Sequence, residues 1–299
     1  MSQQKHTTIT MLIAAVLIST SAVWVKVADM APTVSAFYRM FIAGATLFLL
    51  CYFQKLKLWV DWRYLFKLFL VGFFFAIDLF FWHRSILYVG PGLATVLGNF
   101  QVFFMTLFGF IWLKESIGWL FFLGLGLTFS GLFLLVGINW SELSPQYHLG
   151  VLYGILTAVA YTAFMLMMRH VQASNNNLDA RANLGIASLL CAAILLLQVQ
   201  FEGNALTIPD LQSAGALLIL GLLCQVIGWL MITRSMPLLP TSIVGVLLLL
   251  QPALSMLWDV LFFDRSMTSN DLIGLALVLI GIYLAMYKRK KAAPEKAST

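Results

Sequence analysis

The chain has 299 residues, of which 61% are hydrophobic and only 10% are charged, and its net charge is +6. So few charged residues cannot cover the surface of a water-soluble domain, which excludes an ordinary soluble protein. Because the basic residues follow the membrane topology described below, the positive charge indicates no nucleic-acid partner and the expected environment is the lipid bilayer.

Ten apolar segments of about 20 residues follow one another, and a helix of that length crosses the ~30 Å of hydrocarbon in a bilayer. The segments are continuously apolar and do not alternate as the strands of a membrane barrel do, so a barrel is excluded. The sequence predicts an all-α membrane protein with ten transmembrane helices at residues 8–27, 33–52, 66–87, 92–113, 118–137, 150–168, 182–200, 212–233, 241–263 and 270–287.

The distribution of Lys and Arg predicts how these helices are oriented. With the N-terminus in the cytoplasm, 14 of the 18 basic residues lie on the inner side, whereas Lys26, Arg84 and Arg265 lie on the outer side and Arg39 lies within a helix. Cytoplasmic loops of membrane proteins carry the excess of Lys and Arg. We therefore expect both termini in the cytoplasm, in a multi-pass protein of the inner (plasma) membrane.

Part of the first half of the chain recurs 150 residues later. The matched pairs include Arg84 with Arg234, Ser85 with Ser235, Gln101 with Gln251, Ser116 with Ser266, Gly124 with Gly274 and Gly131 with Gly281. Two related halves with an odd number of spans each are inverted relative to one another and enclose a pathway. The predicted organisation is a first repeat at 1–138, a linker at 139–149, a second repeat at 150–287 and a basic cytoplasmic tail at 288–299.

The first three helices contain polar residues that need an explanation. Hydroxyl residues at 19–21 predict either close helix packing or the polar wall of a cavity. Arg39 lies about two turns inside the second helix, where an arginine costs about 2.5–3.5 kcal/mol, so we expect it to face water or a partner. Asp78 and Trp82, four residues apart, share a helix face suited to a cation or a proton. The structural alternative for Asp78 is a protonated carboxyl bonded between helices, or an ion pair with Arg39.

The fourth and sixth helices add amides and a phenol. Asn99 and Gln101 interrupt the apolar run of the fourth helix. Because Gln101 and Gln251 occupy equivalent places in the two halves, they are predicted to converge near the midplane. The alternative for these amides is ordinary hydrogen bonding between helices, worth about 0.6 kcal/mol each. Tyr161 is the inward-facing candidate of the sixth helix.

The last candidates lie in the eighth and ninth helices. Gln225 and Trp229 are four residues apart, as Asp78 and Trp82 are, and Trp258 follows a mid-helix proline that frees a carbonyl beside a cavity. Scattered acids and the lack of paired histidines predict no catalytic residue, no metal and no cofactor. The predicted substrate-binding residues are Arg39, Asp78, Trp82, Asn99, Gln101, Tyr161, Gln225, Trp229, Gln251 and Trp258.

These residues resemble the EamA branch of the drug/metabolite transporter superfamily, over nearly the whole chain. The matching features are Arg39, Arg84-Ser85 followed by a Gly/Pro turn, Gln101, the Lys114-Glu115 turn, and Gln251-Pro252 followed by Asp264-Arg265 and the stretch from Gly274 to Gly281. The chain departs from the family where Trp82-His83-Arg84 replaces an alanine-rich helix end, and where Asp264-Arg265 replaces the common Gly-Glu. Asp78 is not a signature of the family, so its role is specific to this sequence.

The resemblance implies two inverted five-helix repeats around a central cavity, and transport by alternating access. The expected substrate is a small organic metabolite, an amino acid or similar amphiphile, with export favoured. In this reading Gln101 and Gln251 hydrogen-bond the substrate, aromatic residues supply rings, and Arg39 attracts a carboxylate. Asp78 either carries a coupling proton or has no such role in an uncoupled exchange, and the chain acts as a monomer or a homodimer.

Three other functions stay open at the level of sequence. One is uptake of a larger metabolite, such as a vitamin or a nucleotide-derived compound. Another is a membrane enzyme acting on lipid substrates, although such enzymes place several acids or histidines near one interface. A structural or sensory membrane protein is the third, and it would not need Arg39 or Asp78 in mid-membrane.

Overall fold

A computed structural model describes residues 2–101, 103–104, 107–108, 111, 118–136, 143–172, 178–235, 248 and 250–286, and all regular structure in these residues is helical. Six helices are long and apolar enough to cross a membrane: His6–Val27, Pro32–Phe53, Trp62–Val89, Pro145–Gln172, Ala180–Phe201 and Leu211–Ser235. Three shorter apolar helices are Trp119–Leu135, Leu250–Phe263 and Ser269–Leu284. The prediction of an all-helical membrane protein is thereby confirmed.

The first half contains α1 (Ser2–Ser19), α2 (Ser21–Val27), α3 (Pro32–Phe53), α4 (Trp62–Val89), α5 (Pro91–Gly98) and α6 (Trp119–Val136). A proline in the first turn begins both α3 and α5, where its missing N–H costs nothing. The Asp61 carboxylate accepts a hydrogen bond from the Tyr64 backbone N–H at 2.7 Å, so α4 begins four residues before the predicted span. Gly90, with φ of 85°, ends α4 and allows the sharp turn into α5.

The second half contains α7 (Pro145–Gln172), α8 (Ala180–Phe201), α9 (Leu211–Leu218), a π-helix (Ile219–Gly228), α10 (Trp229–Ser235), α11 (Leu250–Phe263) and α12 (Ser269–Met286). Residues 145–149 of the predicted linker are helical, because Pro145 opens α7 and the Ser144 hydroxyl accepts from the Tyr147 N–H at 3.2 Å. The predicted span 212–233 is a single membrane-crossing unit interrupted by the π-helix, a feature that periodicity does not reveal.

Several predicted features fall outside the described residues. The spans 92–113 and 241–263 are described only in part, and neither the Lys114-Glu115 turn nor the tail at 288–299 is described. The first span is described throughout its length and is broken at Thr20, whose hydroxyl donates to the Leu17 carbonyl oxygen at 2.7 Å. A side-chain bond of this kind competes with the helix ladder and separates α1 from α2.

The long helices pack in pairs that join the two halves: α3 lies along α8, α4 along α7, and α6 along α12. Small residues permit the close approach. A Cβ added to Gly44 of α3 would lie 2.8 Å from the backbone nitrogen of Leu189 in α8. A Cβ on Gly72 of α4 would lie 2.8 Å from the carbonyl oxygen of Ala187, also in α8. Close backbone contact of this type stabilises helix pairs in lipid.

The α6–α12 pair crosses at the duplicated glycines. A Cβ on Gly131 would lie 2.5 Å from the carbonyl oxygen of Gly274, and one on Gly281 would lie 2.5 Å from that of Gly124. Gly274 is the repeat counterpart of Gly124, and Gly281 is that of Gly131. Each position therefore meets the counterpart of the other, which is the contact pattern that a two-fold axis produces.

Candidate functional site

A cavity lies between α1, α2, α3, α4, α5, α7, α10 and α11. It contains about 520 Å³ that protein atoms do not fill, part of it open to the outside. Seven of the ten predicted site residues line it: Arg39, Asp78, Trp82, Asn99, Tyr161, Trp229 and Gln251. Because this volume includes space open to the outside, it is only an upper limit on the room available to a bound molecule.

The cavity lining includes one acidic and one basic side chain. Asp78 of α4 is 5% exposed and Arg39 of α3 is 3% exposed. Arg39 acts electrostatically on Asp78, but the two do not form a direct ion pair; the ion pairs among the described residues involve Arg84, Arg181, Arg234 and Arg265. None of the described residues donates a hydrogen bond to the Asp78 carboxylate. The ion-pair alternative for Asp78 is therefore not what the structure contains.

The guanidinium of Arg39 contacts one amide and two aromatic rings. Its Nε donates to Oε1 of Gln225 at 2.8 Å, and its Cζ lies 5.5 Å from the ring centroid of Trp82 and 6.0 Å from that of Phe75. Gln225 is fully buried in the π-helix. No described residue accepts a hydrogen bond from the two terminal nitrogens of Arg39, so these remain available to a ligand.

Aromatic rings form one wall of the cavity. Phe75 stacks on Phe164 with centroids 4.1 Å apart. Trp229 meets Phe75 and Tyr161 edge to face, at 5.8 Å and 6.0 Å. The Trp229 indole N–H is buried and has no hydrogen-bond partner among the described residues. The wall therefore combines an apolar surface with one unused donor.

Hydroxyls and amides form another part of the lining. The hydroxyl oxygens of Ser21 and Thr157 are buried, and neither has a hydrogen-bond partner in the described part of the chain. The side-chain amide of Asn99 donates to the Thr95 carbonyl oxygen at 2.8 Å, and its own oxygen accepts no hydrogen bond from a described residue. Gln251 is half-buried in the same lining. Ser21 thus lies in a polar cavity wall, the second of the two interpretations of residues 19–21.

Three predicted site residues lie away from the cavity. Gln101 is buried against α7, where its backbone oxygen accepts from the Thr162 hydroxyl at 3.3 Å. Helix α5 ends at Gly98, and Gln101 beyond the following turn is not among the residues that line the cavity, whereas Gln251 is. Gln225 lies behind Arg39. Trp258 donates from Nε1 to the Ser19 hydroxyl at 2.9 Å and joins α11 to α1.

Among the cavity residues that were missed from the sequence, three could have been found by helix spacing. Phe75 lies three residues before Asp78, on the same face of α4. Thr157 lies four residues before Tyr161, and Thr95 lies four residues before Asn99. Residues three or four apart on a helix are neighbours, so each of these could have been inferred from a residue already chosen.

The described residues contain no group of three His, Cys, Asp or Glu side chains able to hold a metal ion. The cysteines, Cys51, Cys191 and Cys224, are buried free thiols in separate helices. The polar side chains that line the cavity are Arg39, Asp78, hydroxyls, amides and the indoles of Trp82 and Trp229. These groups can offer hydrogen bonds and electrostatic contacts to a ligand.

Comparison with known proteins gives three findings. The model of the EamA-like transporter family matches residues 7–137 and 148–287. A relative described as an uncharacterized transporter, from Archaeoglobus fulgidus, is 23% identical over 233 residues, which are 77% of this chain and 80% of the relative. A protein of known crystal structure has a similar fold, with a TM-score of 0.68 and 18% identity, over 94% of this chain and 96% of that chain.

Proposed function

Because the chain belongs to the EamA-like transporter family, we propose that it exports an amino acid or a similar small amphiphile across the inner membrane by alternating access. The chemistry of the cavity supports this class of substrate. Arg39 and Asp78 are a basic and an acidic side chain that line one cavity and do not pair with each other. This observation carries the proposal, because a zwitterion is the small molecule that offers one partner to each.

The chemistry of recognition follows from the groups available. The two free nitrogens of Arg39 match the two oxygens of a carboxylate, which is a strong and oriented contact. Asp78 offers a counter-charge to an ammonium group, and the rings of Trp82 and Phe75 add cation–π attraction. The aromatic wall around Trp229 then accepts an apolar side chain. A substrate with these three parts fits the cavity without leaving a buried charge unpaired.

We also propose that ten helices form two inverted repeats. The reciprocal contacts of Gly131 with Gly274 and of Gly124 with Gly281 support a two-fold axis between α6 and α12. The pairing of α3 with α8 supports the same axis, since the predicted second and seventh spans are equivalent in the two halves. The unit that transports is a monomer or a homodimer of this fold.

The orientation that we propose has the end of α4 on the outer side. Lys26 lies over the ring of Phe263 at the end of α11, 3.9 Å from its centroid. Arg265 binds Asp259, which in turn contacts the start of α5. These residues and Arg84 lie on one face, and the basic residues of the sequence otherwise concentrate on the opposite side. The positive-inside rule then assigns the sparsely basic face to the outside.

Liposomes containing the purified protein test the proposal. They are loaded with a labelled panel of amino acids, simple carboxylates, simple amines, vitamins and nucleotide-derived compounds, and efflux is followed. We expect amino acids with apolar side chains to leave fastest, and we expect Arg39→Gln and Asp78→Asn each to slow them at least tenfold. Arg63→Gln, which removes an exposed charge at the start of α4, serves as the matched control.

The same panel separates the alternatives. Movement of vitamins or nucleotide-derived compounds without amino acids would replace amino acid export by transport of a larger metabolite. Equal efflux of carboxylates, amines and amino acids would contradict recognition of a zwitterion. A pH gradient that drives amino acid movement in the native chain but not in Asp78→Asn would identify Asp78 as the carrier of a coupling proton, whereas an equal response would indicate uncoupled exchange.

A further inference from the structure

The duplicated arginines, Arg84 and Arg234, each face an acid at an end of α8. Arg84 at the end of α4 lies 2.5 Å from the Glu202 carboxylate, which follows α8 directly. Arg234 at the end of α10 lies 4.0 Å from the Asp179 carboxylate, which directly precedes α8. Helix α8 therefore has one acid at each of its ends, and each acid faces one of the two repeat-related arginines, Arg84 or Arg234.

The two contacts differ in strength. The Arg84 and Glu202 side chains are 16% and 20% exposed, and Arg84 also donates to the Thr33 hydroxyl at the start of α3 and to the Phe80 carbonyl, both at 3.0 Å. It therefore ties α3, α4 and α8 together. Arg234 is 51% exposed and beyond hydrogen-bond distance of Asp179.

The partner of Asp179 in this structure is Arg181, its near neighbour in sequence. Arg181 donates to the two carboxylate oxygens at 2.8 Å and 3.0 Å, and it also bonds the amide of Gln54 just beyond α3. These bonds keep the start of α8 beside α3. They do not tie α8 to α10, so the contact that corresponds to the Arg84–Glu202 pair is only a long ion pair, with Arg234 4.0 Å from Asp179.

A second set of polar contacts joins helices at the face where α4 ends. Oδ2 of Asp259 in α11 accepts from the Gly92 backbone N–H at 3.2 Å and lies 3.3 Å from Arg265. The side chain of Asp259 is 3% exposed. Helices α5 and α11 are therefore joined at the same face that the Arg84–Glu202 pair closes, on the other side of the cavity.

We propose that the Arg84–Glu202 and Arg234–Asp179 pairs are alternating gates, and that the structure is the state closed at the face where α4 ends. This inference rests on the proposed transport function. Opening that face separates α4 from the end of α8 and breaks the first pair. The equivalent movement of the other repeat brings α10 to the start of α8, so that Arg234 replaces Arg181 on Asp179. Packed elements with two arrangements switch in this way.

Accessibility of the cavity tests the gates. The three native cysteines are replaced by Ala, and Asn99→Cys supplies one reporter in the cavity lining. A membrane-impermeant thiol reagent is added to right-side-out or inverted vesicles, and the labelling rate is measured. We expect Arg84→Gln and Glu202→Gln each to speed labelling from the face where α4 ends at least fivefold, and to slow it from the opposite face. Arg234→Gln should shift both rates the other way.

Arg63→Gln is the control, since it removes one exposed charge from the same helix as Arg84 without breaking an ion pair in the described residues. Combining Arg84→Glu with Glu202→Arg should return the labelling rates toward those of the parent. Unchanged rates in both Arg84→Gln and Glu202→Gln, or equal acceleration from both faces, would overturn the proposal. Labelling needs no substrate, so a failure to find a transported compound leaves this test decisive by itself.

Discussion

Replacing Gln225 by Leu should weaken substrate binding although Arg39 and Asp78 both stay in the cavity lining. The Gln225 side chain lies behind Arg39, and their hydrogen bond of 2.8 Å joins two buried groups. Hydrogen bonds to charged groups contribute about 1.5–3 kcal/mol. Without this bond, the guanidinium has a buried N–H with no partner and turns to satisfy it, so its terminal nitrogens leave the orientation that a carboxylate needs.

If that energy is lost from substrate binding, KM for amino acid efflux should rise about tenfold to a hundredfold, since 1.4 kcal/mol is a factor of ten. The maximal rate should change little, because Gln225 is not in the cavity lining. Gln225→Glu should raise KM further, since the new carboxylate pairs with Arg39 and competes with the substrate. Gln200→Leu, which makes the same replacement at an exposed position of α8, should have no effect.

An amine that lacks a carboxylate provides the sharpest check on this reasoning. Binding of the amine does not depend on the orientation of Arg39. Gln225→Leu should therefore leave the constant measured for the amine unchanged, whether this is KM for its transport or the inhibition constant with which it competes against the amino acid. An equal loss for the amine and the amino acid would show that Gln225 supports the packing of the π-helix and not the direction of the guanidinium. An unchanged KM for the amino acid would refute the argument outright.

Gly131→Ala should destabilise the chain by about 1–3 kcal/mol and lower Tm in detergent, because its Cβ would lie 2.5 Å from a backbone oxygen of α12; Gly126→Ala, with open space around its Cβ, should not. Gly90→Ala should cost about 1–2 kcal/mol, since φ is 85° and Asp259 lies 3.0 Å from the added Cβ. The hydrogen bond from Arg181 lowers the pKa of Asp179 to about 2, so the stability this acid contributes should be present above about pH 4 and lost as pH falls toward 2. The Tm difference between the native chain and Asp179→Asn should shrink across that window.

Most of the helical framework could be predicted because hydrocarbon thickness imposes it. A segment that crosses the bilayer needs about 20 apolar residues, and this requirement alone located the long helices α3, α4, α7 and α8 to within about five residues at each end. The positions of Asp78 and Trp82 on one cavity-facing side of α4 followed from their spacing in a regular helix. The length of a membrane-crossing helix and its periodicity apply to every residue of a span, so both can be predicted from the sequence.

Local breaks in the helices could not be predicted in the same way. Helix α5 ends at Gly98, and Gln101 does not line the cavity although the repeat places it as the equivalent of Gln251. Gln225 lies in the π-helix and binds Nε of Arg39 without lining the cavity, whereas Trp229, four residues later, lines it. Both breaks depend on which helices pack against the segment, and an apolar pattern contains no record of that packing.

Under the proposed function, the hydrogen bond between Arg39 and Gln225 explains why the cavity would attract a zwitterion. A direct bond between Arg39 and Asp78 would have satisfied both charges internally, and a ligand would then have had to break it. A neutral amide instead holds the guanidinium by one nitrogen and leaves its charge uncompensated, while Asp78 accepts no hydrogen bond from the described residues. A molecule with one charge satisfies only one of these groups and leaves the other buried without a partner. Under the proposed function, a molecule with both charges would satisfy the two together, and the separation of the two side chains would give selectivity for zwitterions.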